Sequence, residues 1–225
     1  MIARASSAWC YRTPRERAAR RMRRWGVALV LALGLLVLTI LDRAAWRALM
    51  FDPDKSLERA DWWQVLRQFG SLTVWAILAV MLVLHDRVSP SRRGSAAWHR
   101  GLMVLAGAAL GGLIAEVLKG VTLRGRPAPD GLYRFGWWER FEGGLGLASS
   151  HAGTAFGGAI MLGWFFPAIR VPVLLLAAGC AMTRLAVGAH FVTDVYVAVV
   201  CSYAANKALW RVFSRFPGGA DAPQG

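Results

Sequence analysis

Acidic residues are scarce in this 225-residue chain. Asp and Glu number 13 against 27 Lys and Arg, and charged residues of both signs make up only 18%. With 56% apolar residues and a mean hydropathy of +0.40, that shortage excludes an ordinary soluble domain of this length and predicts a single membrane-embedded one. Cysteine is nearly absent too: Cys10, Cys180 and Cys201 form no C-x-x-C pair and no even framework, so neither a disulfide scaffold nor a zinc site is expected. No ten-residue alternating pattern is present, which argues against a transmembrane barrel. Internal repeats, low-complexity tracts and interdomain linkers are missing as well. The formal charge of +14 does not make the chain a nucleic-acid binder. Eight arginines fall between Arg4 and Arg24, ahead of the first apolar run, and no folded basic module with interleaved aromatics follows them.

What is present is a series of long apolar runs, at about 26–41, 69–84, 101–118, 152–169, 171–187 and 191–210. They predict six transmembrane helices of roughly 16–20 residues, at the short end of a bilayer span, and hence an all-α polytopic membrane bundle. The first run resembles a signal-peptide core, but its long preceding segment and the runs that follow favour a retained helix. Residues 1–25 then form a basic cytoplasmic tail, 26–212 the membrane domain and 213–225 a flexible C-terminal tail. Arginines in the first tail, at Arg87, Arg92, Arg93 and Arg100, at Arg170, and at Arg211 and Arg215 alternate onto one side, which the positive-inside rule places in the cytoplasm with both termini. A multi-pass protein of the inner (cell) membrane is expected. The 42–68 connection carries Asp42, Asp52, Asp54, Glu58 and Asp61 and lies on the other side, where Trp62-Trp63 and Trp137-Trp138 read as interfacial anchors. Gly107 with Gly111 and Gly153 with Gly157 let the third and fourth helices approach closely.

Alternating helix direction gathers the ends of helices three and five and the starts of helices four and six on one face, opposite the arginine-rich tail. Three polar stretches land there: Lys119–Pro127, Ala148–His151 and Thr183–Asp194. His190 and Asp194 are four residues apart, so on a helix the carboxylate accepts from the imidazole Nδ1–H and leaves Nε2 a free lone pair, the condition for a nucleophilic histidine. The start of that helix also offers N–H groups to a phosphate. Lys119, Arg126 and Arg184 supply counter-charge for phosphoryl oxygens, while Arg124 and Arg134 read as solvated loop charges. His151 is placed to protonate a leaving alkoxide. Ser149 and Ser150 can donate to the phosphate or cap a helix. A Ser-His-Asp hydrolase is disfavoured because no strand–turn–helix elbow surrounds Ser149. A metal is not expected, since three cations would repel a divalent ion and already neutralise the phosphate; no other cofactor is indicated.

These residues resemble the type 2 phosphatidic acid phosphatase (PAP2) superfamily, whose signature is K-x6-RP, PSGH and SR-x5-H-x3-D. Lys119 with Arg126-Pro127 matches the first part. Ser149 and His151 match the second, with Ala148 for its proline and Ser150 for its glycine. Arg184, His190 and Asp194 match the third, with Thr183 for its serine. The resemblance covers roughly residues 70–210. It implies a PAP2/haloperoxidase-like helical core and a metal-independent phosphatase working through a phosphohistidine. In it His190 is the nucleophile, Asp194 its orienting partner, His151 the general acid, and Lys119, Arg126, Ser149 and Arg184 the phosphate ligands. The expected substrate is a lipid phosphate presented from the bilayer at the extracytoplasmic (periplasmic) face: phosphatidate, phosphatidylglycerophosphate, undecaprenyl diphosphate or a lipid A phosphate. Ser150 adds a side chain where glycine would let backbone approach the phosphate. The alternatives are a non-catalytic lipid-phosphate transporter or scaffold, a phosphatase for a soluble ester, and vanadate-dependent haloperoxidase chemistry.

Overall fold

Each apolar run forms a helix, the arrangement that satisfies backbone N–H and C=O groups within a single segment when no water is at hand. The computed structural model describes residues 14–89, 98–138 and 144–213. In chain order they form α1 (Pro14–Leu49), a 3-10 turn (Ser56–Arg59), α2 (Asp61–Gln68), α3 (Leu72–Val88), α4 (His99–Thr122), α5 (Ser150–Phe165), a second 3-10 turn (Pro167–Ile169), α6 (Arg170–Ala186) and α7 (Val192–Phe213). No strand occurs among the described residues, only two isolated β-bridges in the loop after α4.

α1 begins inside the stretch expected as a tail. Pro14 suits the first helical position, where its missing N–H would have no partner anyway, and the arginines that follow are good helix formers. Residues 1–13, the C-terminal tail from 214 onward with Arg215, and Arg92 and Arg93 lie outside the described residues.

Among the described residues, three helices are long and apolar enough to cross a membrane: Ala18–Leu49, His99–Thr122 and Pro167–Ala186. A fourth is added if the pair Asp61–Gln68 and Leu72–Val88, bent by 73°, counts as one span. The other two of the six expected spans fall short for a physical reason. α5 has 16 residues, and α7 carries Asp194, Asn206 and Lys207, yet both sit at the centre of the bundle, where α5 packs on α4, α6 and α7. A helix enclosed by other helices can present polar groups to its neighbours. Thus Ser202 Oγ donates to Gly153 O at 3.0 Å and Asn206 Nδ2 to Gly157 O at 3.1 Å.

The α4–α5 contact is made by the glycines. A Cβ on Gly111 would run into the Gly153 carbonyl, one on Gly153 into the Gly111 carbonyl, and one on Gly157 into the Gly107 carbonyl. The pairing runs antiparallel, and backbone meets backbone with nothing soft to yield. Gly153→Val should therefore separate the helices, costing about 3 kcal/mol or more, and should appear as loss of the monodisperse peak on size-exclusion chromatography in detergent.

At the other end of α4, Arg100 is not a free topology charge. It is buried, paired with the fully buried Asp86 of α3, and stacked over Phe166 at 4.8 Å. The tryptophans divide: Trp62, Trp137 and Trp138 are exposed as anchors should be, whereas Trp63 is buried in the fold.

Candidate active site

The segment Thr183–Asp194 builds its geometry from two local devices. α6 ends in a Schellman turn, with Gly188 N donating to Leu185 O at 2.9 Å and Ala189 N to Arg184 O at 3.0 Å. Gly188 takes φ +69°, a conformation that favours glycine, and a Cβ there would also press on Met50 Sδ. The chain then reverses, and α7 starts at Val192. Asp194 is its third residue, and its carboxylate reaches back to Phe191 N at 2.8 Å, the acidic half of a capping box. The same oxygen meets His190 Nδ1 at 3.3 Å. His190 thus lies just ahead of the helix rather than in its first turn, and the pair forms through the cap. An ionised Asp194 can only accept, so Nδ1 carries the proton and Nε2 keeps its lone pair.

One expectation is overturned here. Three N–H groups at the start of α7 are already engaged within the protein rather than offered to a phosphate: Phe191 N–H is taken by Asp194, Thr193 N donates to Asp42 Oδ1 at 3.0 Å, and Asp194 N donates to Phe191 O at 3.1 Å. Asp42 comes from α1, is fully buried, and also accepts from the Thr193 hydroxyl and, at 2.8 Å, from the Tyr133 hydroxyl. Burial, then the adjacent Asp42 carboxylate, pushes the Tyr133 phenol up to about 12, so it stays a donor at neutral pH.

Arg124 is the second correction. It is buried rather than solvated, bonded to Asp194 Oδ1 and, at 2.9 Å, to Thr193 Oγ1, with its guanidinium 4.9 Å from the Tyr133 ring centre and 5.5 Å from that of Phe191. Bridges Arg124–Phe135 and Gly125–Leu145 pin this stretch on both sides. Arg134 behaves as expected, exposed and paired with Asp130 at 3.3 Å.

A cavity of about 480 Å³ opens beside the pair. Its lining comprises Lys55, Glu58, Arg67, Arg126, His151, Arg184, Val187 and Ala189. Arg126, His151 and Arg184 are therefore brought together as the spacing implied, and Ala189 places His190 next to the wall. His190, Asp194 and Ser149 are themselves buried and do not line it. Lys119 is beside Ser150, donating to its hydroxyl at 3.0 Å and to Glu116 at 2.7 Å. The residue that replaces a glycine thus holds the lysine. Ser149 caps α5, accepting from Ala152 N at 3.5 Å, while its own N–H donates to Asp194 O at 3.3 Å. Ala148 is buried among Ala115, Ala152, Ala181 and Ala198, and the Thr183 hydroxyl bonds its own helix at Cys180 O, 2.8 Å away.

Arg184 Nε is buried with no hydrogen-bond partner. A cation of this kind, opening on a cavity, is available to an anion. Burial pushes the His190 imidazole below its ordinary value, against the pull of Asp194 in the other direction. The arrangement supplies a neutral, oriented imidazole, a second histidine and an anion-binding wall. Sequence patterns alone missed Lys55, Arg67, Arg124, Asp42, Thr193 and Tyr133. For Asp42 the signal was there, since an acid bordering an apolar run is a functional candidate.

No curated protein and no solved structure matches the chain. A family model does, over residues 100–217, more than half of the chain and all of the stretch from Lys119 to Asp194 just described: the chain belongs to the PAP2 superfamily.

Proposed function

We propose that this protein is an integral membrane phosphatase that hydrolyses a phosphomonoester or pyrophosphate of a lipid at the extracytoplasmic face, through a phosphohistidine on His190 and without a metal. The observation that carries the proposal is the His190–Asp194 pair, with Nδ1 held at 3.3 Å, beside a cavity lined by His151, Arg126 and Arg184. Family membership supports phosphatase chemistry, and the apolar helices fit a membrane setting.

In the proposed reaction the phosphate is gripped by Arg126 and Arg184, whose guanidinium forks match phosphoryl oxygens in pairs. Lys119 adds a third charge, oriented by Ser150. Nε2 of His190 attacks phosphorus, the phosphorus–oxygen bond to the leaving group breaks, and His151 protonates that oxygen. Asp194 stabilises the imidazolium while the P–N bond lasts. Water, deprotonated by His151, then attacks phosphorus and restores His190. The cations stand where a metal would otherwise neutralise charge.

On this reading α5 and α7 also cross the membrane, packed against the longer apolar helices, and the cavity and the 50–68 segment face outward, opposite the arginine-rich start of α1. Purified protein in detergent with a chelator should release phosphate from at least one of phosphatidate, phosphatidylglycerophosphate, undecaprenyl diphosphate or lipid A. Silence across that panel would reject the proposal. The face is checked separately: a cysteine at Asp54, which is exposed, should react with a membrane-impermeant maleimide in intact cells.

A further inference from the structure

The cavity holds more positive charge than one phosphoryl group calls for. Among the described residues, Lys55, Arg67, Arg126 and Arg184 line it against one carboxylate, Glu58, while Lys119, which is not in the lining, is paired with Glu116 at 2.7 Å and donates to Ser150 next to His151. Arg126, Arg184 and Lys119 already answer the oxygens of one phosphoryl group. Lys55 and Arg67 are left over, and both come from the segment ahead of α3, outside residues 100–217.

Arg67 is held in place rather than swept in by chance. α2 packs on α6: Leu66 lies against Gly179, and the Cys180 thiol donates to Arg67 O at 3.7 Å. Three residues on, Gly70 touches the histidine itself, since a Cβ there would stand 2.8 Å from both Cβ and Cδ2 of His151. The α2 end, and Arg67 with it, is thereby fixed next to the proposed acid. Its contact to Glu58 is a single one of 3.5 Å between partly exposed groups, a geometry too loose and too wet to neutralise it.

We propose that Lys55 and Arg67 form an outer anion subsite that binds the non-transferred phosphate of a diphosphate ester, making a diphosphate the substrate class of this cavity. The proposal rests on the phosphatase function above and narrows it. His190 Nε2 attacks the terminal phosphorus, the P–N bond forms, and the bridging P–O bond breaks with its electron pair going to the bridging oxygen. The leaving group is then a phosphomonoester, whose second pKa is roughly 6, so it departs without the proton an alkoxide would demand. Lys55 and Arg67 balance the charge it gains. Water next attacks the phosphohistidine and releases inorganic phosphate.

The test compares full-length protein with Arg67→Gln and Lys55→Gln on farnesyl diphosphate, farnesyl phosphate and inorganic pyrophosphate. For each variant, kcat/KM on farnesyl diphosphate should fall about 10- to 100-fold further than on farnesyl phosphate, the loss of one charge-assisted contact, with an unchanged melting temperature and elution volume in detergent as the folding control. A parallel fall on pyrophosphate assigns the contact to the diphosphate itself; no fall there, with farnesyl diphosphate affected, assigns it to the lipid-borne form. An equal loss on mono- and diphosphate, no loss on the diphosphate, or unsubstituted protein that cleaves the monophosphate alone overturns the subsite and leaves the phosphatase standing. Phosphate release from none of the three defeats both.

Discussion

His190→Ala should abolish phosphate release, by roughly a thousandfold or more, while protein yield and elution volume stay unchanged. The size of the effect follows from covalent catalysis, in which no neighbouring group replaces the atom that bonds phosphorus. The fold should tolerate the change, because Asp194 keeps Phe191 N and Arg124 as partners once the imidazole is gone. Quenching the unsubstituted protein with radiolabelled substrate in alkaline detergent should trap a base-stable, acid-labile phosphoenzyme, and His190→Ala should trap none. Undiminished turnover, or label that survives the substitution, would reject the mechanism. The acid side of the pH profile gives an independent check. Attack needs the neutral imidazole, and burial moves its protonation below the ordinary 6.5. The His190-dependent fall in kcat/KM should begin only below that pH, and a limb above it would contradict the buried site.

Arg124→Ala carries the second large effect, on stability first. The substitution strands Asp194 inside the protein with its cation gone and removes the ring contacts to Tyr133 and Phe191. Breaking a buried pair from one side costs about 3–5 kcal/mol, which should show as a lower melting temperature in detergent. Arg124→Lys restores the charge without the fork that spans Thr193 and Asp194. It should recover part of the stability but leave kcat depressed with KM unchanged, because the imidazole is then poorly oriented while the phosphate ligands are intact. A melting temperature that does not move in Arg124→Ala would refute this role.

The difference between Arg126 and Arg124 shows what the sequence made legible. Arg126 belongs to a spacing with Lys119, and helix direction alone carries that spacing to the face where His151, Arg184 and His190 arrive. The six apolar runs, their antiparallel order and the glycine contacts of α4 with α5 were legible for the same reason: each depends on local periodicity. Arg124 was read as solvated because its partner lies 70 positions away, and no pattern within a helix turn or loop encodes such a pairing. Asp42 bordered the apolar run ending at Leu41, which was a signal, but its partner was not legible: α1 continues to Leu49, so the acid falls inside a helix and meets Thr193 of α7, 151 positions on. Arg67 sat in a connection with no periodicity that would aim it at a cavity. The cap joining Asp194 to Phe191 was half visible, as the i, i+4 pair with His190, but its helix start was set two residues early.

The bond from Asp42 to Thr193 ties α1 to α7, the last of the described helices. On the proposed mechanism, a ribosome that has inserted α1 through α6 has delivered Arg126, His151 and Arg184 but neither the attacking imidazole nor the carboxylate behind it. The unfinished chain can bind anions and cannot turn them over. Competence arrives in one step, when α7 docks against Asp42, so translocation intermediates remain hydrolytically silent in the membrane.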